Sequence, residues 1–469
     1  MPKSKLPRFD SAPIQRRSQV DLRLVPLVFG ILILVGAILL SLPWAHKTGR
    51  TIDWIDALFL SASATCVTGL TTVNVADTFN SFGQAVILGL IQAGGLGIFT
   101  SNILLVVVSG NRLSLSDEQT IHATVGRLRQ ARPLDVFVYA CVFVVLFELA
   151  GTVALFTLMT RAQPEVDVWE VLWESVFHSV SAFCNAGISI FPDGMARWRQ
   201  NPLVLAVIST LVIAGGIGLM TLINLRYYHF WRRNPLKRGR LTFQTRMSMV
   251  SAAVLLIFGT ASTLLFESNH TLQDGTISEK VSWAFFHSAM SRTAGFNVVD
   301  VGAMNPPTLL VTLGLMFVGG SPGSMSGGIK TMTFVVLLLT AWSALRRRAE
   351  VQFWNCRLTP SICFIATMLA LVGIGCVVVG VMLLMVFEDG RSAAQTNQRW
   401  LALVFEAVSA FGTVGLSTGI TPLLTAAGKI VIIALMGVGR IVPLMLSVYL
   451  ARPLNPLRVR QPHEELSLG

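Results

Sequence analysis

The stretch Ser63-Ala-Thr-Cys-Val-Thr-Gly69 ends a short amphipathic segment and precedes a polar stretch and a long apolar run. Three later stretches resemble it, and their terminal glycines follow one another at spacings of 108 to 120 residues. They are Ser181-Ala-Phe-Cys-Asn-Ala-Gly187, Ala289-Met-Ser-Arg-Thr-Ala-Gly295 and Ser409-Ala-Phe-Gly-Thr-Val-Gly415. Because the four copies recur with similar flanking segments, we interpret the chain as four repeats of one unit.

Each repeat consists of a long apolar span, a short helix, a glycine turn and a second long span. The short helices are predicted at residues 53–65, 169–183, 278–290 and 400–411. A helix of about 13 residues reaches only about 19 Å, whereas the apolar core of a bilayer is about 30 Å thick. The sequence therefore predicts an all-α polytopic membrane protein with four M-P-M repeats around one pore. In this notation M is a span and P a pore helix, which gives eight transmembrane helices and four re-entrant pore helices.

Composition and charge support a membrane protein. Of the 469 residues, 53% are hydrophobic and only 13% are charged, whereas a soluble domain carries about 25% charged residues. The net charge of +12 comes largely from basic stretches that flank the repeats, and these stretches are expected to be cytoplasmic by the positive-inside rule. No nucleic-acid partner is therefore expected. The six cysteines show no paired spacing, so neither a disulfide framework nor a zinc site is predicted.

The basic stretches also divide the chain. The predicted organisation is a cytoplasmic N-terminal segment at 1–23, repeat 1 at 24–110, an amphipathic linker and repeat 2 at 111–230, a basic linker and repeat 3 at 231–346, repeat 4 at 347–452, and a cytoplasmic C-terminal tail at 453–469. The first apolar run begins near Leu24 and lacks a small-residue cleavage site, so we interpret it as a retained span. Since every junction is basic, each repeat must leave the cytoplasm and return to it.

The glycine turns are the candidate ion-binding site. Irregular backbone at membrane depth persists only where it is buried in protein or lines a watery cavity. Around a common axis, carbonyl oxygens of such turns can replace the hydration shell of a monovalent cation. The turns contain no carboxylates, which argues against calcium. The predicted selectivity-filter residues are Val67, Thr68, Gly69, Asn185, Ala186, Gly187, Thr293, Ala294, Gly295, Thr413, Val414 and Gly415.

A second candidate site interrupts the last span of repeat 3. Glycine and proline at this density break a helix, and the alternatives are a tolerated kink or an intramembrane loop that obstructs ion passage. Arg440, in the middle of a span of repeat 4, needs a partner and is interpreted either as a cationic barrier paired with the loop or as a structural tether. The candidate gate residues are Gly319, Gly320, Ser321, Pro322, Gly323, Ser324, Met325, Ser326, Gly327, Gly328 and Arg440.

Several motifs resemble the Trk/Ktr/HKT superfamily of potassium transporters. They are Thr65-Cys-Val-Thr-Gly-Leu70, Ser291-Arg-Thr-Ala-Gly-Phe-Asn297 and Gly319-Gly-Ser-Pro-Gly-Ser-Met-Ser-Gly-Gly-Ile-Lys330. Residues 321–324 and Gly439-Arg-Ile-Val-Pro443 are most similar to the membrane (pore) subunit of bacterial Ktr systems, and the resemblance spans about residues 24–452.

The resemblance implies potassium uptake across the bacterial cytoplasmic (inner) membrane, with both termini cytoplasmic and lipid around the spans. It implies a homodimer on a cytoplasmic regulatory ring of the RCK/KTN type, which carries the nucleotide. K⁺ is the transported ion, Na⁺ is implied as an activator for Ktr members, and no covalent cofactor is expected. Residues 319–328 correspond to the gate of the family. Gly69 favours potassium, because some plant relatives carry serine there and favour sodium.

Two other function classes compete with this interpretation. An alternating-access secondary cation transporter built on inverted repeats requires neighbouring repeats of opposite orientation, which the basic junctions contradict. A membrane-embedded enzyme would use His178 and His287, but no carboxylate or cysteine lies at ligand spacing and helix packing is favoured. No nucleotide-binding or catalytic motif points to an enzyme.

For three further charged residues, the sequence leaves two interpretations open. Glu148 lies either on a proton or sodium path or in a buried hydrogen bond, and Arg292 either repels cations or braces the third turn. Lys330 either acts at the gate or extends its side chain to the interface.

Overall fold

Long and short helices alternate along the chain. The computed structural model describes residues 24–109, 133–218, 221–222, 224–225, 241–348, 350–354, 356–388 and 399–450, and it describes their side chains except at 24, 98–109, 133–137, 139–140, 356, 399, 444 and 447–450. The predicted cytoplasmic segments 1–23 and 453–469 and the linker residues 111–132 and 226–240 lie outside the described residues.

The described chain is predominantly helical. In chain order the helices are α1 (Leu24–Ser41), α2 (Trp54–Thr65), α3 (Val75–Thr78), α4 (Ser81–Ser109), α5 (Pro133–Ala162), α6 (Val168–Phe183), α7 (Pro202–Ile217), α8 (Phe243–Glu267), α9 (Ile277–Met290), α10 (Pro306–Phe317), α11 (Thr331–Leu345), α12 (Pro360–Phe387), α13 (Arg399–Gly412) and α14 (Ala426–Leu450). Two short antiparallel strands, β1 (Gln352–Phe353) and β2 (Cys356–Arg357), lie between α11 and α12 and pair Gln352 with Arg357.

The four predicted short helices are confirmed as α2, α6, α9 and α13, and each begins and ends within one residue of its predicted bounds. Acidic residues occupy the first turns of three of them, where they face the positive end of the helix dipole. In α9 this residue is Glu279, which forms a capping box with Thr276. The local sequence signals therefore set where the short helices start.

Length and apolar composition identify candidate membrane spans. Among the described residues, four helical segments are long and apolar enough to cross a bilayer: Cys141–Ala162, Phe243–Glu267, Pro360–Phe387 and Ala426–Pro443. Shorter apolar helices include Val25–Ser41, Ser81–Gly97 and Pro202–Ile217. The predicted interruption of the last span of repeat 3 is confirmed, because α10 and α11 are separate helices. The total of eight spans stays a prediction.

The helices pack in a closed cycle. Helix α4 packs against α6, α7 against α9, and α10 against α13. Helix α14, the last in the described chain, packs against α2, the first short helix. An ion pair supports this closure, since Nζ of Lys429 in α14 lies 2.5 Å from Oδ1 of Asp56 in α2. Each short helix is thus contacted by a helix of the preceding unit.

A glycine and a serine recur where a short helix crosses the long helix before it. Ser61 donates a hydrogen bond from Oγ to the carbonyl oxygen of Ile33 at 2.7 Å. Ser179 donates to Glu148 at 2.6 Å, and Ser288 donates to Leu256 at 2.9 Å. In each case a glycine three residues further along the long helix leaves room for the serine: Gly36, Gly151 and Gly259. The same tether therefore holds three of the short helices.

Each short helix carries a large side chain that is fully buried. Phe59, Phe177, Phe286 and Phe405 are fully buried, whereas apolar side chains on the long helices, such as Ile257 and Val386, are each 69% exposed. This distribution suits a protein whose outer surface faces lipid and whose short helices form its centre. The C-terminal halves of the short helices and the turns that follow them are consequently packed inside the protein.

Candidate functional site

The four glycine turns share one backbone conformation. The residue two positions before each glycine has a positive φ, and so does the glycine itself. The non-glycine residues are Val67 (φ 55°), Asn185 (62°), Thr293 (87°) and Thr413 (49°), and the glycines are Gly69 (99°), Gly187 (64°), Gly295 (69°) and Gly415 (91°). A β-branched residue held at positive φ costs about 1–3 kcal/mol, and it persists only where the surroundings impose it.

Hydrogen bonds back to the short helices impose this conformation. The backbone N–H of Thr68 donates to the carbonyl of Ser63 at 2.8 Å, that of Ala186 to Ser181 at 2.7 Å, and that of Val414 to Ser409 at 2.9 Å. In the third turn the N–H groups of Ala294 and Gly295 both donate to Met290. Backbone donors of each turn thus bond to its own helix, which leaves carbonyl oxygens for other ligands.

The four turns meet in a ring. A methyl group placed on Gly69 would lie 2.5 Å from the carbonyl oxygen of Ala186. A methyl on Gly187 would overlap the carbonyl of Ala294, one on Gly295 that of Val414, and one on Gly415 that of Thr68. Each glycine therefore touches the carbonyl of the next turn, and the fourth turn touches the first. Only glycine leaves the space for carbonyls of neighbouring turns to approach so closely.

A cavity of about 390 Å³ opens on one side of this ring. The four turn glycines line it together with residues that follow them, among them Thr71, Ser189, Asn297 and Ser417. Asp300 is the one ionisable side chain among its described lining residues. The ring itself is built of uncharged groups, so the negative potential that it offers a cation comes from backbone dipoles and from the C-terminal ends of four short helices.

Residues 319–328 lie on the opposite side of the ring. They connect α10 to α11, and all are buried except Pro322 and Gly323, which are half-buried. Asn185 lies 3.2 Å from Oγ1 of Thr293 and 3.2 Å from Oγ of Ser326, and the N–H of Gly327 donates to Oγ1 of Thr413 at 3.1 Å. These contacts involve the residues two positions before the glycines, whereas the cavity borders residues after them. The segment therefore closes the end of the ring away from the cavity.

The backbone of this segment is bonded to other parts of the chain. The N–H of Ser321 donates to the carbonyl of Gly216 at 2.9 Å, that of Met325 to Gly215 at 3.2 Å, and that of Gly328 to Gly439 at 3.2 Å. Its own ends are joined by the N–H of Gly319, which donates to Ile329 at 2.8 Å. The segment thus bridges α7 and α14 across the ring.

Two cations hold its central carbonyls. The guanidinium of Arg440, which is only 3% exposed, donates from Nη1 to the carbonyl oxygen of Met325. Nζ of Lys330 donates to the carbonyl of Ser326 at 2.5 Å. The predicted pairing of Arg440 with a carbonyl of the loop is therefore observed, and Lys330, whose role was left open, contacts the adjacent carbonyl. Both charges lie where they would oppose a cation that leaves the ring on this side.

The other charged candidates have local partners. Glu148 accepts a hydrogen bond from Nε2 of Gln92 at 3.3 Å, and Sγ of Cys184 lies 3.7 Å from its other oxygen. Arg292 donates to the carbonyl of Ala252 at 3.3 Å and to Oγ1 of Thr331 at 3.4 Å. It therefore contacts α8 and the residue that begins α11, and the carbonyls of the third turn are not among these partners.

The two histidines lie in separate hydrogen-bond settings. His178 contacts the carbonyl of Glu174 at 2.7 Å and Oγ of Ser189 at 2.9 Å. Nε2 of His287 lies 3.1 Å from Oγ1 of Thr312. Among the described residues, no group of three or more His, Cys, Asp or Glu side chains could hold a metal ion.

Sequence reasoning missed two features of this site. The first is the ion pair between Asp56 and Lys429, and the second is Glu406, a fully buried carboxylate in α13 that accepts hydrogen bonds from Ser417 and Thr421. A hydroxyl-bearing residue recurs two positions after the glycine in three turns, at Thr71, Ser189 and Ser417. This recurrence was the sequence signal that could have pointed to the hydroxyl that Glu406 contacts.

Comparisons with known proteins agree with this architecture. The model of the TrkH family, described as cation transport proteins, matches residues 15–455. The chain is 34% identical to the potassium/sodium uptake protein NtpJ of Enterococcus hirae, over 97% of this chain and 98% of that protein. It is also 34% identical to the Ktr system potassium uptake protein B of Bacillus subtilis, over 94% and 95% of the two chains.

Among solved structures, the potassium transporter TrkH from Vibrio parahaemolyticus has a similar fold. The TM-score is 0.68 at 16% sequence identity, and the match covers 95% of this chain and 86% of that chain. At this identity the likeness concerns the fold alone. The family match over nearly the whole sequence, together with the two bacterial relatives, decides the assignment: the chain belongs to the TrkH family of cation transport proteins.

Proposed function

We propose that the protein takes up potassium through a channel-like pore whose selectivity filter is the ring of glycine turns. The observation that carries this proposal is the closed cycle in which each turn glycine touches the carbonyl-bearing residue of the next turn. The names of the bacterial relatives, which are potassium or potassium/sodium uptake proteins, support potassium as the cargo. The proposed ligands are the backbone carbonyls of residues 67–69, 185–187, 293–295 and 413–415.

The chemistry of the ring suits a dehydrated monovalent cation. Carbonyl oxygens converging from four sides can replace the water shell of K⁺ at little cost, because the turns are held in place before the ion arrives. The ring offers no carboxylate to a divalent ion, and the four helix ends add about half a negative charge each. The membrane potential drives the ion inward with about 2.3 kcal/mol per charge per 100 mV.

The segment 319–328 acts as the gate in this proposal. It closes the inner end of the ring, and Arg440 and Lys330 add positive charge there. Conduction requires the segment to move, and its bonds to α7 and α14 allow displacement of those helices to release it. The force comes from a cytoplasmic ring of the RCK/KTN type that binds the nucleotide, with Na⁺ as activator and with two copies of this chain on one ring.

The same proposal fixes the orientation. Four M-P-M repeats with eight spans place both termini in the cytoplasm of a bacterial cell, and the cavity above the ring then faces the outside. The basic composition of the junctions between repeats supports this orientation.

Ion flux into proteoliposomes that contain the purified chain tests the function. Under the proposal, K⁺ enters down its gradient, a membrane potential that is negative inside the vesicles drives uptake by itself, and Na⁺ competes weakly. Flux of K⁺ in fixed stoichiometry with a second ion would instead support an alternating-access secondary transporter. If K⁺ does not move under any gradient, potassium uptake by this chain is wrong.

A further inference from the structure

Two of the four short helices carry a polar side chain at the same position behind the ring. Nine residues before the turn glycine, α6 has His178 and α13 has Glu406, and both side chains are fully buried. The corresponding residues are Leu60 in α2 and Phe286 in α9. Because the turns follow one another in cyclic order, the second and fourth units lie opposite each other across the ring.

Each of these two side chains holds a serine at the cavity. Ser189 and Ser417 both lie two residues after a turn glycine, and both line the cavity beside the glycines. Ser417 donates a hydrogen bond from Oγ to Oε1 of Glu406 and accepts one from the N–H of Gly419 at 2.9 Å. Ser189 lies 2.9 Å from Nε2 of His178 and accepts from the N–H of Phe191 at 3.1 Å. The two serines therefore have matching partners.

The partners of His178 determine where the hydrogen of Ser189 points. Nδ1 of His178 lies 2.7 Å from the carbonyl oxygen of Glu174, and because a carbonyl only accepts, Nδ1 must carry the proton. An imidazole is mostly neutral at pH 7, so its Nε2 is then an acceptor. Ser189 consequently donates its only hydrogen to His178.

The same reasoning applies to Ser417. In its ionised form Glu406 is an acceptor only, and it then takes the hydroxyl hydrogens of Ser417 and of Thr421, whose Oγ1 lies 2.9 Å from Oε2. The N–H of Thr418 adds a third donor at 3.3 Å. Oγ of Ser417 also lies 2.9 Å from Oγ1 of Thr421, but the hydrogen of Thr421 then goes to Oε2 of Glu406 and not to Ser417. With Glu406 ionised, each serine oxygen gives its hydrogen to the protein behind it and receives one N–H, so a lone pair remains for the cavity.

We propose that Ser189 and Ser417 form an outer cation-binding site in the cavity, with His178 and Glu406 as positioning residues. By accepting the two hydroxyl hydrogens, these positioning residues leave only oxygen lone pairs directed into the cavity. A hydroxyl free to rotate would present its hydrogen to a cation part of the time, whereas these two present lone pairs only. The site takes a partly dehydrated monovalent cation before it enters the ring. This inference rests on the proposed function, because it names the first ligands of the ion that the pore conducts.

The primary experiment measures K⁺ uptake kinetics in a potassium-uptake-deficient bacterium that expresses the full chain with its native cytoplasmic subunit. The double variant Ser189→Ala/Ser417→Ala should raise the KM for K⁺ about fivefold, the effect of losing polar contacts of ordinary strength, with Vmax within about twofold. The variant Ser189→Thr/Ser417→Thr keeps both hydroxyls and should retain the original KM. Thr308→Ala is the matched control, because its Oγ1 donates to buried Glu267 at 2.5 Å outside the cavity.

A second variant tests the positioning role. In Glu406→Gln the amide can donate to Ser417 and turn its hydrogen toward the cavity, so KM should rise by a similar factor. In a Ser417→Ala background the same change should have no further effect on KM. His178→Leu places the residue found at Leu60 of the first short helix, and it should also raise the KM. In a Ser189→Ala background, His178→Leu should have no further effect on KM.

The outcomes separate the site from the pore. A wild-type KM in the serine double variant, with normal Vmax, overturns the outer site while potassium uptake stands. Additive effects of Glu406→Gln and Ser417→Ala overturn the positioning role. If a double variant is not found in the membrane, the single Ser→Ala variants are compared in the same way. Absence of K⁺ uptake by the unmodified chain contradicts the proposed function itself.

Discussion

The ring of glycine turns and the segment 319–328 are both irregular backbone, but they are held in different ways. In the ring, each turn bonds to the helix that precedes it, as when the N–H of Thr68 donates to Ser63 five residues earlier. In the segment, the N–H groups reach Gly216, Gly215 and Gly439, which are more than 100 residues away along the chain. The ring is therefore fixed locally and repeated four times, whereas the segment depends on where α7 and α14 lie.

Under the proposed function, this difference assigns ion selectivity to the ring and gating to the segment. A turn whose donors are satisfied by its own helix keeps its geometry when neighbouring helices shift. A segment whose hydrogen bonds go to other helices changes its position when those helices shift. The contacts of Arg440 and Lys330 with its carbonyls then change as well. The following predictions test that division.

The largest effect is expected in the ring. Gly69→Ser places a side chain against the carbonyl of Ala186 and should reduce discrimination of K⁺ over Na⁺ at least about tenfold, which corresponds to about 1.4 kcal/mol. Relative K⁺ and Na⁺ uptake measures it. Gly49→Ser is the matched control, because Gly49 also has a positive φ (78°) but nothing lies within 4 Å of the added group. Unchanged ion preference in Gly69→Ser would contradict the filter assignment.

Removal of residues 323–327 should have the next largest effect. The deletion takes away the carbonyl of Met325 and the contacts of Ser326 and Gly327 with the ring, so the inner end of the ring opens. We expect K⁺ flux without the cytoplasmic subunit to rise several-fold in proteoliposomes. Flux equal to that of the unmodified chain would contradict the assignment of residues 319–328 as the gate.

A smaller rise is expected from Arg440→Gln. The change removes one charge and one hydrogen bond to Met325 but leaves the segment bonded to Gly216 and Gly215, so flux without the subunit should rise only about twofold to threefold. Lys429→Met on the same helix is the control, since its ion pair with Asp56 lies away from the segment. That variant should lower the melting temperature without raising flux. Equal flux in both variants would contradict a gating role of Arg440.

The smallest effect is expected from Ser321→Ala. Its Oγ is buried and has no hydrogen-bond partner within the described ranges. This hydroxyl therefore contributes little to the stability of the closed segment. We expect flux with and without the subunit to stay within about twofold of the unmodified chain, since loss of an unpaired hydroxyl removes no bond. A large rise in flux would mean that Ser321 contributes to closure through a contact absent from this conformation.

Much of the ring could be predicted from the sequence because its determinants are local. The apolar periodicity, the acidic first turns and the terminal glycines of the short helices all lie within about 20 residues of one another. Their bounds were predicted to within one residue, and the convergence of the glycines followed from the assumption of four similarly oriented units. The total number of spans and the identity of the ion stay predictions.

The partners of the buried polar groups could not be predicted. Lys429 pairs with Asp56 across 373 positions of the chain, and Arg440 reaches Met325 across 115. No sequence pattern singles out Glu406 in its short helix, and only the folded chain brings Ser417 beside it. A sequence pattern states that a buried charge needs a partner but does not say which group comes near it.

The sequence by itself determined the class of protein, the four short helices and the four glycine turns, because hydrophobic periodicity, chain length against bilayer thickness and glycine placement act over short stretches. Tertiary structure alone decided that the fourth unit closes on the first, that residues 319–328 lie under the ring, and that Ser189 and Ser417 line the cavity in contact with His178 and Glu406. These arrangements depend on hydrogen bonds and packing between distant helices, whose partners are fixed only when the whole chain has folded.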